Sequence, residues 1–301
     1  MKHSLKITLI LLFVFLIAQF VGIAILYNYI DTSLSAESGE TVFKELPIIE
    51  RPEIQEETSY IPVILAIIIG TVVLLFLMKH KLTWVWKIWF LFAVVIALSI
   101  AFGAFLPTYF AVALAIVLGI WKIFKPQIYV HTFTELFVYG GLAAIFVPIF
   151  NLFSVSVLMV LIALYDAYAV WKSKHMVTLA KAQTDSKVFA GLLIPYKLIK
   201  KSKKMSKIAG AAKKTTKSIS KKVSVRTAVL GGGDIGFPLI FAGVIMKELG
   251  LWQALIIPLF AAAGLGLLLW KADEKKFYPA MPFIGAACFL GLGVVWLIGL
   301  I

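Results

Sequence analysis

Long apolar runs recur along this chain of 301 residues and constrain its fold more than any other feature. Each run holds about 20 residues, the length that an α-helix needs to cross the hydrocarbon layer of a membrane. A membrane β-barrel would instead need strands of about ten residues with alternating polarity. Hydrophobic residues make up 61% of the chain and charged residues only 15%, unlike the balance of a soluble domain. The sequence therefore predicts an all-α polytopic membrane protein.

The apolar runs predict nine transmembrane helices. They cover roughly residues 6–27, 61–78, 85–106, 108–124, 130–150, 152–171, 229–247, 252–270 and 280–301. The first run follows a basic N-terminus, as in a signal peptide, but it exceeds a typical signal-peptide core and is interpreted as a retained helix. The chain then divides into helices one to six within residues 1–171, a polar stretch at 172–226, and helices seven to nine within 227–301.

Charge predicts the orientation of these helices. The loop at 28–59 holds eight acidic residues and two basic ones, whereas lysines border the loops that follow spans two, four and eight. Basic loops stay on the cytoplasmic side of a membrane. The N-terminus is therefore predicted to be cytoplasmic, the acidic loop extracellular and, after nine crossings, the C-terminus outside.

Residues 172–226 form an unusually basic loop. They carry 16 Lys and Arg residues and one acid, Asp185, so that their net charge of +15 accounts for the +14 of the whole chain. We expect a largely disordered cytoplasmic loop that is attracted to anionic lipid headgroups, at about 1 kcal/mol for each lysine near the surface. No nucleic-acid partner is expected, because the loop lacks a fold motif and interleaved aromatic residues.

Two carboxylates inside the apolar runs predict the chemistry. An ionisable residue in a membrane helix is costly and indicates function. Asp166 lies six residues before Lys172, and Asp234 lies eight residues after Arg226. At 1.5 Å per helical residue, they reach about 9 Å and 12 Å into the membrane on antiparallel helices, and so lie at nearly the same level. Two facing carboxylates in a low-dielectric site share a proton, which is how aspartic proteases activate water.

The remaining ionisable groups suggest little chemistry. Glu135, the third acid in an apolar run, is interpreted as lying near the headgroups beside His131; the alternative is that it lines a water-filled cavity. The single cysteine, Cys288, is interpreted as a small packing residue. Because the four histidines also lack ligand spacing, no metal site is expected.

Three glycines, Gly231 to Gly233, precede Asp234. Glycine has free φ and no side chain, so that backbone or a substrate can approach closely. The segment from Val225 to Leu230 is expected to be a short strand that turns into a helix at Asp234. The apolar island from Val188 to Pro195 is expected to be a second strand at the cytoplasmic rim. An unwound substrate can add to such a pair as a further strand.

Three motifs in this order resemble those of the presenilin and signal peptide peptidase family of intramembrane aspartyl proteases, especially its archaeal members. Tyr165-Asp166 matches the YD motif of helix six, and Gly231-Gly232-Gly233-Asp234 matches the GxGD motif of helix seven. Pro279-Ala280-Met281-Pro282 resembles the PAL motif that opens helix nine, with Met281 where leucine is usual. The nine-helix plan and the long loop before helix seven extend the resemblance over the whole chain.

The resemblance implies a presenilin-like fold in which Asp166 and Asp234 are the catalytic pair. The substrates would be transmembrane proteins cleaved within or near a membrane helix, without a metal or organic cofactor. The predicted orientation is that of presenilin, which implies substrates whose N-terminus lies outside, and the archaeal likeness implies the plasma membrane of a prokaryote. Together with the predicted strands, the resemblance also implies a set of residues that shape the site or bind the substrate. They are Tyr165, Val229, Leu230, Gly231, Gly232, Gly233, Pro279, Ala280, Met281 and Pro282.

Two other functions stay open at this point. A proton- or cation-coupled transporter or channel also uses buried carboxylates, although this chain shows no obvious inverted repeat. A prepilin-type peptidase also carries GxGD in a membrane, but it generally has fewer spans and does not account for Pro279 to Pro282.

Overall fold

The computed structural model of the protein describes residues 5–80, 82–173, 189–199, 224–272, 278–297 and 299. This described part of the chain is mostly helical. Its α-helices are α1 (Leu5–Tyr29), α2 (Thr32–Ser38), α3 (Tyr60–Lys79), α4 (Thr83–Gly103), α5 (Thr108–Phe124), α6 (Ile128–Phe146), α7 (Leu152–Tyr168), α8 (Gly233–Leu249), α9 (Leu251–Lys271) and α10 (Met281–Leu297). Apart from α2, each of them has 17 to 25 residues.

Six helical segments in the described residues are long and apolar enough to cross a membrane. They are Leu5–Tyr29, Tyr60–Lys79, Thr83–Gly103, Ile128–Ile149, Leu152–Lys172 and Leu251–Lys271. The segments that include α6 and α7 are longer than those helices, because a 3₁₀ turn (Val147–Ile149) and a π-helical turn (Ala169–Ser173) extend them. The predicted helical membrane protein is thus confirmed, whereas α5, α8 and α10 have only 17 residues each and nine crossings stay a prediction.

The predicted helix bounds are wrong mainly at the seventh span. A helix was expected from residue 229, but α8 begins at Gly233, because residues 229–231 belong to a strand. The helix also starts one residue before the expected position, Asp234. The last span was expected to reach residue 301, but α10 ends at Leu297, and residues 298, 300 and 301 lie outside the described residues.

Two strands join the helices at the basic loop. Strands β1 (Gly191–Ile199) and β2 (Ser224–Gly231) pair antiparallel, with Gly191 opposite Gly231 and Leu193 opposite Val229. Both strands expected from the sequence are present, but the bounds expected for the first are wrong: it begins at Gly191, not Val188, and continues past Pro195 to Ile199. Most of the basic loop itself, residues 174–188 and 200–223, lies outside the described residues.

Helix α1 lies in the centre of the bundle and packs against α6, α8 and α9. Small residues permit this close contact, since membrane helices associate by van der Waals packing rather than by the hydrophobic effect. A Cβ atom on Gly22 would lie 2.2 Å from a methyl carbon of Leu239, and one on Gly140 would lie 2.4 Å from a methyl carbon of Ile25. Helix α1 is therefore packed closely against both α8 and α6.

Helix α3 packs loosely at the edge of the bundle. Its only buried residues are Leu74 and Leu77, and its neighbours are α4 and α7. Its other apolar side chains are exposed or half-buried, as expected for a helix that faces lipid.

The acidic loop between α1 and α3 folds back onto the end of the bundle remote from β1 and β2. Asp31 caps α2 by accepting hydrogen bonds from the Ser33 and Leu34 amides. The Thr41 hydroxyl donates to the Lys247 carbonyl at the end of α8, over 2.6 Å. The Lys247 ammonium in turn lies 2.6 Å from a Glu56 carboxylate oxygen. These contacts attach the loop to α8.

Candidate active site

Asp166 near the end of α7 and Asp234 at the start of α8 line one cavity of about 660 Å³. The structure thus brings together the two aspartates that the sequence places 68 positions apart. The wall is mainly apolar, and besides the aspartates it is formed by Ile64, Ile67, Ile68, Tyr139, Leu142, Phe146, Leu161, Ile162, Tyr165, Val170, Phe189, Ala190, Val229, Gly231, Gly232, Gly233, Gly236, Phe237, Ile240, Tyr278, Ala280 and Met281. Two carboxylates in an apolar cavity interact strongly, because little water screens them.

The start of α10 holds the carboxylate of Asp166. That side chain is 5% exposed, and its Oδ2 accepts a hydrogen bond of 3.0 Å from the Met281 amide. The Ala280 amide makes a second backbone hydrogen bond to the same carboxylate. The first N–H groups of a helix have no partner within the helix, so that α10 presents free donors to an acid on a neighbouring helix.

The segment from Pro279 to Pro282 divides in two. Ala280 and Met281 line the cavity, whereas the two prolines do not. Pro279 is buried beside it, and Pro282 is the second residue of α10, where its missing N–H disrupts no helical hydrogen bond. The prolines therefore shape the start of α10, and the two residues between them contact the site.

The carboxylate of Asp234 is held by the backbone just before it, through a hydrogen bond from the Gly231 amide. Pro238 within α8 has no N–H to give to the Asp234 carbonyl. The buried Gln19 of α1 donates 2.8 Å to the next carbonyl, that of Ile235. Sequence reasoning missed Gln19, whose signal was a lone amide side chain in an otherwise apolar first span.

The three glycines before Asp234 differ in what surrounds them. A Cβ on Gly232 would lie 2.8 Å from the Tyr139 hydroxyl oxygen, and one on Gly231 would lie 3.2 Å from an Asp234 carboxylate oxygen. A Cβ on Gly233 would make only ordinary contacts, at 3.4 Å from Phe237. None of the three has a positive φ. The expectation that these glycines adopt a φ closed to other residues is therefore wrong. Gly232 and Gly231 instead leave room for the Tyr139 hydroxyl and the Asp234 carboxylate, which a side chain would meet.

Tyr165, Val229 and Leu230 lie in different surroundings. Tyr165 lines the cavity, and its hydroxyl lies 3.4 Å from that of Thr71 on α3. Val229 also lines the cavity and is 51% exposed, whereas Leu230 is 5% exposed and packs into the core. The alternation of side chains along a strand puts them on opposite faces of β2.

The two edges of the small sheet are not equivalent. His131 Nε2 lies 2.8 Å from the Gly191 carbonyl oxygen, and the Thr132 hydroxyl donates 3.0 Å to that of Leu193. These carbonyls point away from β2, so that α6 side chains occupy the outer edge of β1. In an antiparallel pair, the residue opposite Leu193 also points outward. The N–H and C=O of Val229 therefore face outward along the edge of β2, beside the cavity.

Helix α6 contributes residues that sequence reasoning missed or misplaced. Tyr139 lines the cavity and covers Gly232. The alternative that Glu135 lines the cavity is wrong, because this side chain is 1% exposed, does not line the cavity and forms an ion pair with the buried Lys122. Glu135 does lie beside His131, whose Nε2 is 3.8 Å from Oε1, while a position near the headgroups stays a prediction. The missed signal was a lysine two residues before the end of one helix and a glutamate seven residues into the next. At 1.5 Å per residue their backbones lie about 3 Å and 10 Å from the ends of the two helices, a difference that the long lysine side chain can span.

Comparison with known proteins agrees with this geometry. The family described as signal-peptide peptidase, presenilin aspartyl protease matches residues 40–300. A search of curated proteins found no match. Among the described residues, no group of three or more His, Cys, Asp or Glu side chains is arranged to hold a metal ion.

Two solved structures share the fold, and both are described as a presenilin family intramembrane aspartate protease, one in space group C222 and one in P2. The first has a TM-score of 0.62 and 18% identity over 97% of this chain and 99% of that chain. The second has a TM-score of 0.58 and 18% identity over 98% of each chain. At this identity the likeness concerns the fold, while the family match covers most of the sequence. This chain therefore belongs to the signal-peptide peptidase and presenilin family, and it is an intramembrane aspartic endopeptidase.

Proposed function

We propose that Asp166 and Asp234 are the catalytic pair, and that they hydrolyse peptide bonds within or near the transmembrane helices of membrane-protein substrates. The observation that supports this most directly is their position in one cavity, where the Met281 amide of α10 bonds to Asp166 and the Gly231 amide bonds to Asp234. No other pair of acids lines this cavity among the described residues.

The chemistry requires the two carboxyl groups to act as base and acid. The ionised carboxylate takes a proton from a water molecule, whose oxygen attacks the scissile carbonyl carbon while the protonated partner donates its proton to the carbonyl oxygen. When the tetrahedral intermediate collapses, the C–N bond breaks and the leaving amine takes up the proton that the base had received. The residues of the cavity wall are mainly apolar, so that the two carboxyl groups are poorly screened from each other and titrate as a pair.

The substrate must be unwound before its carbonyl is accessible, since a helix hides its carbonyls in hydrogen bonds. The edge of β2 offers it replacement hydrogen bonds, because the N–H and C=O of Val229 face outward beside the aspartates. We propose that the substrate adds here as a third strand. Ala280 and Met281, which also line the cavity, would support it there.

A cleavage assay tests the catalytic pair. The purified chain in detergent is incubated with a single-span substrate, and the products are identified by mass spectrometry. Asp166→Asn and Asp234→Asn should each lower the rate by at least about 10³-fold, because the two groups act as a unit. Glu53→Gln, which alters an exposed acid of the remote loop, should leave the rate unchanged.

Full cleavage by either aspartate variant would contradict the proposal. Ion flux into liposomes that requires both aspartates, with no proteolysis by the parent chain, would favour a transporter. A transition-state analogue of aspartyl proteases should block the parent chain and bind both variants poorly.

Orientation and location are further parts of the proposal. The charge of the loops supports a cytoplasmic N-terminus, an extracellular acidic loop and nine crossings that leave the C-terminus outside. The 16 basic residues of 172–226 support contact with anionic lipids on the cytoplasmic side. The likeness to archaeal members supports the plasma membrane of a prokaryote, and the orientation supports substrates with an external N-terminus.

A further inference from the structure

A buried ion pair joins α5 and α6 outside the lining of the catalytic cavity. Lys122 at the end of α5 is 2% exposed, Glu135 on α6 is 1% exposed, and the ammonium bonds to Glu135 Oε1. The Lys122 ammonium also lies 5.9 Å from the ring centre of Phe90 on α4. The ion pair thus joins three helices within the membrane protein.

Such a pair is a poor device for stability alone. Removing two charges from water offsets most of their attraction, and well-packed apolar residues of similar volume commonly stabilise a core as well or better. Charged groups within membrane helices are rare and commonly functional. The contacts that these two charges make with other residues therefore indicate what function the pair serves.

Glu135 carries the contact onward to the active site. Its second oxygen, Oε2, accepts a hydrogen bond from the hydroxyl of Tyr139, which lies one helical turn further along α6. The Tyr139 side chain lies against the first turn of α8: a Cβ on Gly232 would be 2.8 Å from its hydroxyl oxygen, and one on Gly236 would be 3.7 Å from its ring. The ring thus contacts the backbone on both sides of Asp234 in sequence.

Two residues earlier in α6 contact the sheet. His131 and Thr132 bond to the carbonyls of Gly191 and Leu193 on β1, and β1 pairs with β2, which leads into Gly231. One stretch of α6 therefore contacts both the turn that carries Asp234 and the strand pair that precedes it.

We propose that Lys122, Glu135 and Tyr139 are positioning residues for catalysis. Lys122 fixes the carboxylate of Glu135, Glu135 fixes the hydroxyl of Tyr139, and the Tyr139 ring fixes the Gly231 to Asp234 turn at the distance from Asp166 that the reaction needs. None of the three is required to touch the substrate. This inference rests on the proposed roles of Asp166 and Asp234.

Two variants remove the contacts in different ways. Tyr139→Phe keeps the ring and deletes the hydroxyl that Glu135 holds. The double variant Lys122→Met with Glu135→Leu removes both charges together, so that neither is left buried alone. The matched control is Tyr129→Phe, the same substitution at an exposed tyrosine of α6. For each purified protein we would measure the melting temperature, kcat, KM and the Kd of an aspartyl transition-state analogue.

Tyr139→Phe and the double variant should both lower kcat by at least about 10-fold with KM within about threefold, since a misplacement near 1 Å can reduce the rate by 10²-fold. The analogue should bind less tightly in parallel with the loss of kcat/KM. The double variant should retain the parent melting temperature within a few degrees, and Tyr129→Phe should match the parent throughout.

Parent kcat in Tyr139→Phe would overturn the proposal, whether or not the double variant folds. Loss of kcat only in proportion to lost folded protein would show that the residues act on stability alone. If Asp166→Asn and Asp234→Asn abolish cleavage while Tyr139→Phe does not, only this inference fails. If the aspartate variants cleave normally, the catalytic pair itself is wrong.

Discussion

At Gly232, a methyl group would meet the Tyr139 hydroxyl oxygen at 2.8 Å and two ring carbons at 3.1 and 3.3 Å. The hydroxyl cannot move freely, because it is hydrogen-bonded to the buried Glu135. The backbone at Gly232 is ordinary, with φ of −65° and ψ of −32°, which alanine adopts readily. Glycine is therefore needed at this position because α6 comes so close to it, and not because of its backbone conformation.

We predict that Gly232→Ala lowers activity even though alanine is the better helix former. Overpacking of a tight site costs about 1–3 kcal/mol, which corresponds to roughly 5- to 150-fold if it acts on the catalytic geometry. Initial rates against a single-span substrate would measure the effect. Gly293→Ala is the control, because a Cβ there meets nothing within 4 Å. Equal rates for Gly232→Ala and the parent chain would show that the Tyr139 contact is unimportant.

At the scale of elements, β2 is a strand with one edge paired and the other facing the cavity. The backbone N–H groups of successive residues in a strand point to opposite edges. That of Leu230 points toward β1 and pairs with Leu192, whereas that of Val229 points away from β1. Proline removes one N–H and is tolerated at a strand edge but not where a ladder bond is made. Proline at Leu230 therefore tests the pairing of the two strands, and proline at the adjacent Val229 tests the free edge of β2.

We expect Val229→Pro to leave the sheet paired and to block strand addition, so that cleavage is abolished while the melting temperature stays near that of the parent. Leu230→Pro should abolish cleavage and also disrupt β1 against β2, which hydrogen exchange at Leu192 would detect. Val229→Thr, which keeps the N–H and the branched side chain, should preserve most activity. Normal cleavage by Val229→Pro would contradict strand addition at this edge.

At the scale of the whole molecule, the contrast between the two polar loops determines the predicted orientation. The acidic loop at 28–59 attaches to the end of α8, and the strands that flank the basic loop lie at the start of α8. The two loops therefore lie at opposite ends of the same helix. If α8 crosses the membrane, they must face opposite compartments.

Impermeant maleimide labelling would test this orientation in right-side-out vesicles. The only cysteine, Cys288, is buried and would be replaced by alanine to give an unlabelled background. Glu40→Cys in the acidic loop should label from outside, and Ser206→Cys in the basic loop should label only after the vesicles are opened. The reverse pattern would contradict the predicted orientation, and cleavage activity of both variants would confirm that they are folded.

Much of the site was predictable because many of its residues lie in short segments that can be identified from neighbouring residues alone. Asp166 and Asp234 are conspicuous as acids in apolar runs, and the strand before Gly231 follows from a short apolar segment that ends in glycines. Lys122, Glu135 and Gln19 were missed or misplaced, because hydropathy shows that a residue is polar but not which helix it faces. Tyr139 gave no signal at all, since a tyrosine in an apolar span is an ordinary packing residue.

The sequence by itself determined that this is a helical membrane protein with an aspartate near the end of one span and another near the start of the next. These facts follow from run length and local spacing, which depend only on neighbouring residues. Only the tertiary structure decided that α10 donates amides to Asp166, that α6 carries a buried ion pair toward the Gly231 turn, and that the free edge of the sheet belongs to β2. These contacts join residues far apart in the chain, and which pairs meet is set by the packing of whole helices against one another.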